Sequence, residues 1–134
     1  MPELAPDKLA LKGRILLAED GIDNQKLIAF HLKRAGADVD TAGNGLLAIE
    51  LLEKAASQGF RYNLLLTDIQ MPEMDGYEST RHLRKSGHDI PIVTLTAHAL
   101  SEDRRKGFEA GCDDYLSKPL DKKTLLEVCA KHMR

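Results

Sequence analysis

The segment Leu64-Leu65-Leu66-Thr67-Asp68-Ile69-Gln70-Met71-Pro72-Glu73-Met74-Asp75-Gly76 joins an apolar run to an aspartate and then to a loop marked by proline and glycine. An apolar run of this length predicts a β-strand that is buried on both faces, as in a parallel sheet. Asp68 would then lie at the carboxyl end of the strand, where open α/β sheets place their ligand crevice. A carboxylate is costly in a core but can act at such a rim, so Asp68 is the first candidate functional residue.

Alternating patterns on both sides of this segment predict the rest of the fold. From residue 14 onward, strand and helix patterns alternate five times, which is typical of an α/β fold with a parallel sheet. Three strand segments are strongly apolar and should be internal, whereas two are mixed and should lie at the edges. Right-handed crossovers then favour the strand order 2-1-3-4-5. The predicted strands cover residues 14–18, 38–41, 63–67, 92–95 and 114–116, and the predicted helices cover 24–35, 46–56, 76–84, 101–110 and a last helix capped by Asp121.

Length, charge and composition limit the class of protein. The chain has 134 residues, and residues 1–13 predict a linker or tail before one domain over residues 14–134. The net charge of -2 does not favour nucleic-acid binding. No apolar segment approaches the roughly 20 residues of a membrane span and no signal peptide is evident, so we expect no membrane contact and a cytoplasmic location. Cys112 and Cys129 lack metal-ligand spacing and are expected to stay reduced.

Chemically active residues are predicted to meet where the strand order reverses, between the first and third strands. The first strand leads into Glu19-Asp20 and the third leads into Asp68, so three carboxylates would repel and raise one another's pKa. A hard divalent cation such as Mg2+, which carboxylates and phosphate oxygens bind, removes this conflict. The fourth strand leads to Thr96 and the fifth to Lys118-Pro119, which supply a hydroxyl and an ammonium for phosphate oxygens.

These positions, in this order, resemble the receiver domain of two-component response regulators over nearly the whole chain. The family's acidic pair, hydroxyl residue and Lys-Pro pair match Glu19-Asp20, Thr96-Ala97 and Lys118-Pro119, and its Met-Pro-x-Met-Asp-Gly loop matches residues 71–76. The resemblance implies a flavodoxin-like (βα)5 doubly wound fold, a cis peptide bond before the proline, and phosphorylation of Asp68.

The resemblance also implies a phosphoryl transfer in which Asp68 attacks a phosphohistidine, or a small acyl phosphate, and becomes an aspartyl phosphate. Mg2+ would be bound by Asp20, Asp68 and the backbone carbonyl of Gln70, with Glu19 acting through water. Lys118 would neutralise charge on the transferring oxygens. The implied partners are a histidine kinase or a histidine phosphotransfer domain, and the domain would not be a stand-alone turnover enzyme.

A conformational switch is implied as well. In the family the new phosphate attracts the hydroxyl residue, so Thr96 would move and Tyr115, an aromatic on the fifth strand, would become buried. The output face would comprise the helix over residues 101–110, the strand at Tyr115 and the last helix. Gln70 and His98 occupy positions where the family tunes dephosphorylation.

Finer matches point to the receivers attached to hybrid sensor histidine kinases. A parent protein of that kind can be membrane-anchored. Gly21 departs from this subgroup, which often has asparagine after the acidic pair, and the glycine is expected to loosen the loop without removing a ligand. The subgroup matches are Glu19-Asp20, Asn24-Gln25, residues 96–99 and residues 113–119.

Three other functions fit the sequence less well. A non-phosphorylated pseudo-receiver that acts as a protein-interaction module is the main alternative, but every proposed site residue is retained. A phosphatase of the haloacid type needs an aspartate two residues after the nucleophile, where this chain has Gln70. A flavin-binding protein on the same sheet needs a Ser/Thr- and Gly-rich phosphate loop after the first strand, where Glu19-Asp20-Gly21 would instead repel a phosphate.

Overall fold

Strands and helices alternate along the whole folded region. A computed structural model describes residues 11–97 and 101–133, apart from the side chains of residues 101–103. In this part of the chain no helix is both long enough and apolar enough to cross a membrane. The strands are β1 (Arg14–Ala18), β2 (Asp38–Ala42), β3 (Leu64–Asp68), β4 (Ile92–Thr96) and β5 (Asp114–Ser117). The helices are α1 (Ile22–Arg34), α2 (Gly45–Ser57), α3 (Gly76–Lys85), α4 (Ser101–Ala110) and α5 (Lys122–His132).

The five strands form one parallel sheet in the order β2-β1-β3-β4-β5, as predicted. Ala18 pairs with Thr67 and Asp68 pairs with Leu95, so β1, β3 and β4 end at the same edge of the sheet. The predicted strands stopped one residue early at this edge, because Asp68 and Thr96 are the last residues of β3 and β4. Asp68 and Thr96 therefore belong to the hydrogen-bonded strands and not to the loops that follow them.

Buried side chains form two clusters, one on each face of the sheet, because successive residues of a strand point to opposite faces. Leu64 and Leu66 of β3 belong to the cluster that includes α1 and α5, whereas Leu65 belongs to the cluster that includes α2 and α3. This arrangement explains the unbroken apolar run. Leu11 joins the first cluster, and its backbone N–H donates to the carbonyl oxygen of Ala35 at 2.7 Å. Core packing therefore begins upstream of β1.

The two cysteines are free and lie on opposite faces of the sheet. Burial raises the pKa of both the Cys112 and the Cys129 thiols, and that of Cys129 reaches about 12. Both thiols are therefore protonated at neutral pH, and they act as small apolar side chains of the core.

One arginine joins the end of α3 to the segments before β4 and β5. Arg84 donates through Nε to the carbonyl oxygen of Gly111 at 2.9 Å and through Nη1 to those of His88 and Ile90 at 2.9 and 2.8 Å. Its Nη2 reaches Asp113 Oδ2 at 3.0 Å. A planar guanidinium can serve all four acceptors at once, whereas a lysine ammonium cannot.

We expect Arg84→Met to lower the free energy of unfolding by about 2–3 kcal/mol, because hydrogen bonds from a charged donor are lost and their acceptors lose their partners. Arg84→Lys should recover only part of this loss. Urea denaturation followed by circular dichroism measures the change. Arg81→Met, at an exposed position of the same helix, is the control and should be nearly neutral; an equal loss in both variants would contradict the assignment.

Candidate functional site

A cleft of about 430 Å³ lies at the carboxyl edge of the sheet, where the strand order reverses between β1 and β3. Because β1, β3 and β4 end together there, their last side chains and the following loops face a common space. Asn24 and Tyr77 also line the cleft, although they were not predicted as site residues. They lie in the first turns of α1 and α3, and this position in the sequence is the feature from which they could have been identified. The predicted site residues that line the cleft are Glu19, Asp20, Asp68, Gln70, Thr96 and Lys118.

The ammonium of Lys118 lies between two buried carboxylates. Its Nζ donates to Asp68 Oδ2 at 2.8 Å and to Glu19 Oε1 at 3.3 Å. Glu19 is 1% exposed and Asp68 is 6% exposed, whereas the Lys118 side chain is 25% exposed. Burial by itself lowers the pKa of Lys118, but the bonds to Asp68 and Glu19 outweigh this effect and raise the pKa. The lysine is therefore charged at neutral pH, and its peptide bond to Pro119 is cis, as the resemblance implied.

Glu19, Asp20 and Asp68 form an acidic cluster in which one carboxylate oxygen of each residue lies within 4.8 Å of the others. Burial raises the pKa of Glu19, and the neighbouring carboxylate of Asp68 raises it further, while the N–H of Gly21 and the charge of Lys118 act in the opposite direction. One ammonium cannot neutralise three carboxylates. The cluster consists of hard oxygen ligands with an excess of negative charge, so it can bind a metal ion.

The loop between β3 and α3 packs closely against the end of β3. The N–H of Gln70 donates to Asp68 Oδ1 at 3.3 Å, whereas Lys118 donates to the other carboxylate oxygen, so both oxygens have a donor. A side chain at Gly76 would overlap the carbonyl oxygen of Asp68, so this position requires glycine. Asp75 caps α3 by accepting from the N–H of Glu78 at 2.8 Å.

The residues assigned to the switch lie on one face of the sheet. Thr96 is buried at the end of β4, and Tyr115 of β5 pairs with Thr94, two residues earlier. Residues two apart in a strand share a face, so Tyr115 and Thr96 point to the same side. Arg104 of α4 donates to the Tyr115 hydroxyl at 3.3 Å and lies 5.6 Å from its ring centroid, a contact that was not predicted. His98 lies outside the described residues.

Known proteins share this sequence pattern and fold. A family model described as response regulator receiver domain matches residues 15–130. A hybrid signal transduction histidine kinase from Dictyostelium discoideum is 40% identical over 119 residues, which make up 86% of this chain but 7% of that kinase. A two-component response regulator from Oryza sativa subsp. japonica is 42% identical over 120 residues, covering 88% of this chain and 92% of the rice protein.

A solved structure with a similar fold is the receiver domain of a sensor histidine kinase from Pseudomonas aeruginosa PAO1, which has a magnesium ion coordinated in its active-site cleft. Its TM-score with this chain is 0.77 at 35% sequence identity, and the match covers 92% of this chain and 98% of that one. The likeness thus extends over almost the whole of both folds.

The raised pKa of Glu19 predicts a pH-dependent effect of Glu19→Gln. The folded state holds the Glu19 proton more tightly than the unfolded chain does. Protonated Glu19 therefore stabilises the fold below the ordinary pKa of 4.5, and this stabilisation is lost as the pH rises through the pKa of the folded state. The uncharged variant should therefore be more stable than the native protein at pH 7, and the two should converge near pH 4.5 and below. Urea denaturation at a series of pH values, without divalent cations, measures this difference.

The control for this measurement is Glu50→Gln, which removes a carboxylate at an exposed position of α2 and should show no such convergence. If Glu19→Gln is instead less stable than the native protein at pH 7, the ion pair with Lys118 outweighs the burial of Glu19, and our explanation of the acidic cluster is wrong.

Proposed function

The chain belongs to the response regulator receiver domains, and on this basis we propose that it accepts a phosphoryl group on Asp68. The observation that carries the proposal is the placement of the Asp68 carboxylate, at the edge where the strand order reverses, 2.8 Å from the Lys118 ammonium and within 4.8 Å of oxygens from Glu19 and Asp20. A nucleophilic carboxylate, a fixed cation and an acidic cluster are the parts that phosphoryl transfer requires.

The metal that suits this cluster is Mg2+, which prefers one or two carboxylates together with water and phosphate oxygens. Asp20, Asp68 and the backbone carbonyl of Gln70 would hold it. Glu19 would act through water; its two oxygens accept hydrogen bonds from Lys118 and from the N–H of Gly21. When bound, the ion neutralises charge on the transferring phosphoryl group.

The transfer itself exchanges one bond to phosphorus for another. A carboxylate oxygen of Asp68 attacks the phosphorus in line with the leaving group, a P–O bond forms, and the P–N bond of a phosphohistidine breaks, with the electron pair going to the imidazole nitrogen. Lys118 is close enough to exchange its bond to Asp68 for one to a phosphoryl oxygen, which stabilises the charge that develops there. Thr96, at the adjacent strand end, would donate its hydroxyl to another oxygen of the aspartyl phosphate.

The phosphate would then bias the position of α4. Movement of Thr96 toward the phosphate opens space on the sheet face that it shares with Tyr115, and an inward rotation of Tyr115 would break its contact with Arg104. The surface formed by α4, β5 and α5 is the proposed output face. Gln70 and His98 are the proposed positions that tune the phosphate lifetime.

The donor would be a phosphohistidine of a histidine kinase or of a phosphotransfer domain, and the chain would belong to a hybrid kinase. The Dictyostelium relative supports this origin, and a phosphorelay of this kind would place the domain in the cytoplasm. The receiver would comprise residues 14–134, with residues 1–13 as a preceding linker that is anchored through Leu11.

Incubation with acetyl phosphate and Mg2+ should add one phosphoryl group to the native protein, because this small donor replaces a phosphohistidine. Intact-protein mass spectrometry detects the adduct. The variant Asp68→Asn should acquire none, since an amide is not a nucleophile for phosphorus, and EDTA should abolish the reaction. Asp89→Asn, at an exposed position before β4, is the matched control and should react like the native protein.

An adduct that persists in Asp68→Asn would show that the phosphoacceptor is a different residue. If the native protein acquires no adduct and titration calorimetry detects no Mg2+ binding, the domain is the pseudo-receiver that acts through protein interactions alone.

Lys118→Met should slow adduct formation by at least about 100-fold, the usual loss when a fixed donor to a developing anion is removed. The rate is measured by the same mass assay at saturating Mg2+, so that a change in metal affinity does not contribute. Lys123→Met, at an exposed position of α5, serves as the control. A rate for Lys118→Met within about twofold of the native rate would exclude the proposed role of the ammonium.

A further inference from the structure

A single glutamine fastens the loop that carries the exposed carboxylate of the acidic cluster. The side-chain Nε2 of Gln25 donates to the carbonyl oxygen of Glu19 at 3.0 Å, and its backbone N–H donates to that of Gly21 at 2.8 Å. The Glu19 carbonyl belongs to the peptide group directly before Asp20, whereas the Gly21 carbonyl belongs to the peptide group that leads into α1. We call residues 19–21 the acidic loop.

Only the side-chain bond depends on the identity of residue 25. The backbone bond from Gln25 to Gly21 is the first i to i−4 bond of α1, which nearly any residue at position 25 can make. The bond to Glu19 requires a donor at the end of a side chain of this length. The start of the acidic loop is also held by the Glu19 N–H, which donates to the carbonyl oxygen of Ala42 at 3.0 Å.

Within the acidic loop the N–H of Gly21 donates to Glu19 Oε2 at 3.2 Å, but neither Asp20 nor Gly21 restricts the loop further. Asp20 is exposed, and Gly21, which precedes α1, makes no side-chain cap. The φ and ψ angles of Gly21, −77° and 114°, lie in the extended region, so nothing in its conformation requires glycine. A Cβ built at Gly21 meets its nearest neighbours at 3.8 Å or more, which is ordinary contact.

We propose that Gln25 is a positioning residue that holds the acidic loop, and with it Asp20, in the conformation that binds the metal ion. The inference rests on the metal site of the proposed function. A ligand on a loop that is already ordered loses less conformational freedom on binding, so the hydrogen bond from Gln25 raises metal affinity without touching the ion. It should affect the concentration of Mg2+ needed, rather than the chemistry once the site is full.

Titration calorimetry of the whole chain with MgCl2 tests this. Gln25→Met keeps the length and helix preference of the side chain but removes the donor, and we expect it to raise the Kd for Mg2+ about tenfold. The half-saturating Mg2+ concentration for adduct formation with acetyl phosphate should rise equally, while the rate at saturating Mg2+ stays the same. Gln58→Met makes the same substitution after α2, at an exposed position, and should leave the Kd unchanged.

A second substitution should act in the opposite direction. Gly21→Ala narrows the freedom of the acidic loop at a conformation that alanine readily adopts, so it should restore part of the lost affinity when combined with Gln25→Met. Gln25→Asn, which keeps the amide but shortens the side chain by one methylene, tests the same bond if the methionine variant does not fold.

The possible results separate the two proposals. Mg2+ binding by the native protein with an unchanged Kd in Gln25→Met and Gln25→Asn would overturn the role of Gln25 and leave the metal site intact. An equal loss of affinity in Gln58→Met, or a lower rate for Gln25→Met at saturating Mg2+, would also overturn it. Failure of the native protein to bind Mg2+ would refute the metal site of the proposed function, and this inference with it.

Discussion

The site depends on the ammonium of Lys118 between the buried carboxylates of Asp68 and Glu19. These contacts join residues that are 50 and 99 positions apart in the chain, so only the order of the strands in the sheet brings them together. The lysine is on the loop after β5, whereas Asp68 is the last residue of β3 and Glu19 directly follows β1. A different strand order would leave Glu19 and Asp68 buried and unpaired, which is far more costly than exposing them. The strand order of the sheet therefore determines whether the charges of the site can pair.

The excess negative charge of the site is stabilised by the core beneath it. The strand residues that precede Glu19 and Asp68 include Leu17 and Leu66, which are fully buried. Apolar packing on both faces of the sheet contributes favourable free energy over many side chains, whereas the repulsion involves three carboxylates. The fold can therefore hold the Asp68 carboxyl group beside a cation, at a buried position where an unpaired carboxylate would be unfavourable.

The parts of the structure that could be predicted are those in which a sequence pattern has one physical solution. The run Leu64-Leu65-Leu66 is apolar at successive positions, and only a strand covered on both faces buries them all. Other contacts could not be predicted, because their acceptors are backbone carbonyls, which every residue has. Arg84 binds the carbonyls of three residues, and Gln25 binds that of Glu19. Such partners become visible only when the loops are placed, and the ends of β3 and β4 depend on backbone pairing in the same way.

The helix α4 differs from the other helices in what it buries. Of its side chains from residue 104 onward, Gly107 and Ala110 are buried and Phe108 is 51% exposed, so α4 contributes small groups where α2 contributes Ile49 and Leu52. Little apolar area is lost when such a helix shifts, and a glycine in its interior costs about 1 kcal/mol of helix stability relative to alanine.

Its position therefore depends in part on polar contacts at its edge, and the bond from Arg104 to Tyr115 is one of them. Hydrogen bonds at exposed positions contribute little, so a new charge at Asp68 needs to supply only a modest free energy to change the preferred position of α4. In the proposed function, the weak packing of α4 and the strong packing of β3 would act together: the strand would fix the Asp68 carboxylate, and the loosely held helix would respond to its phosphorylation.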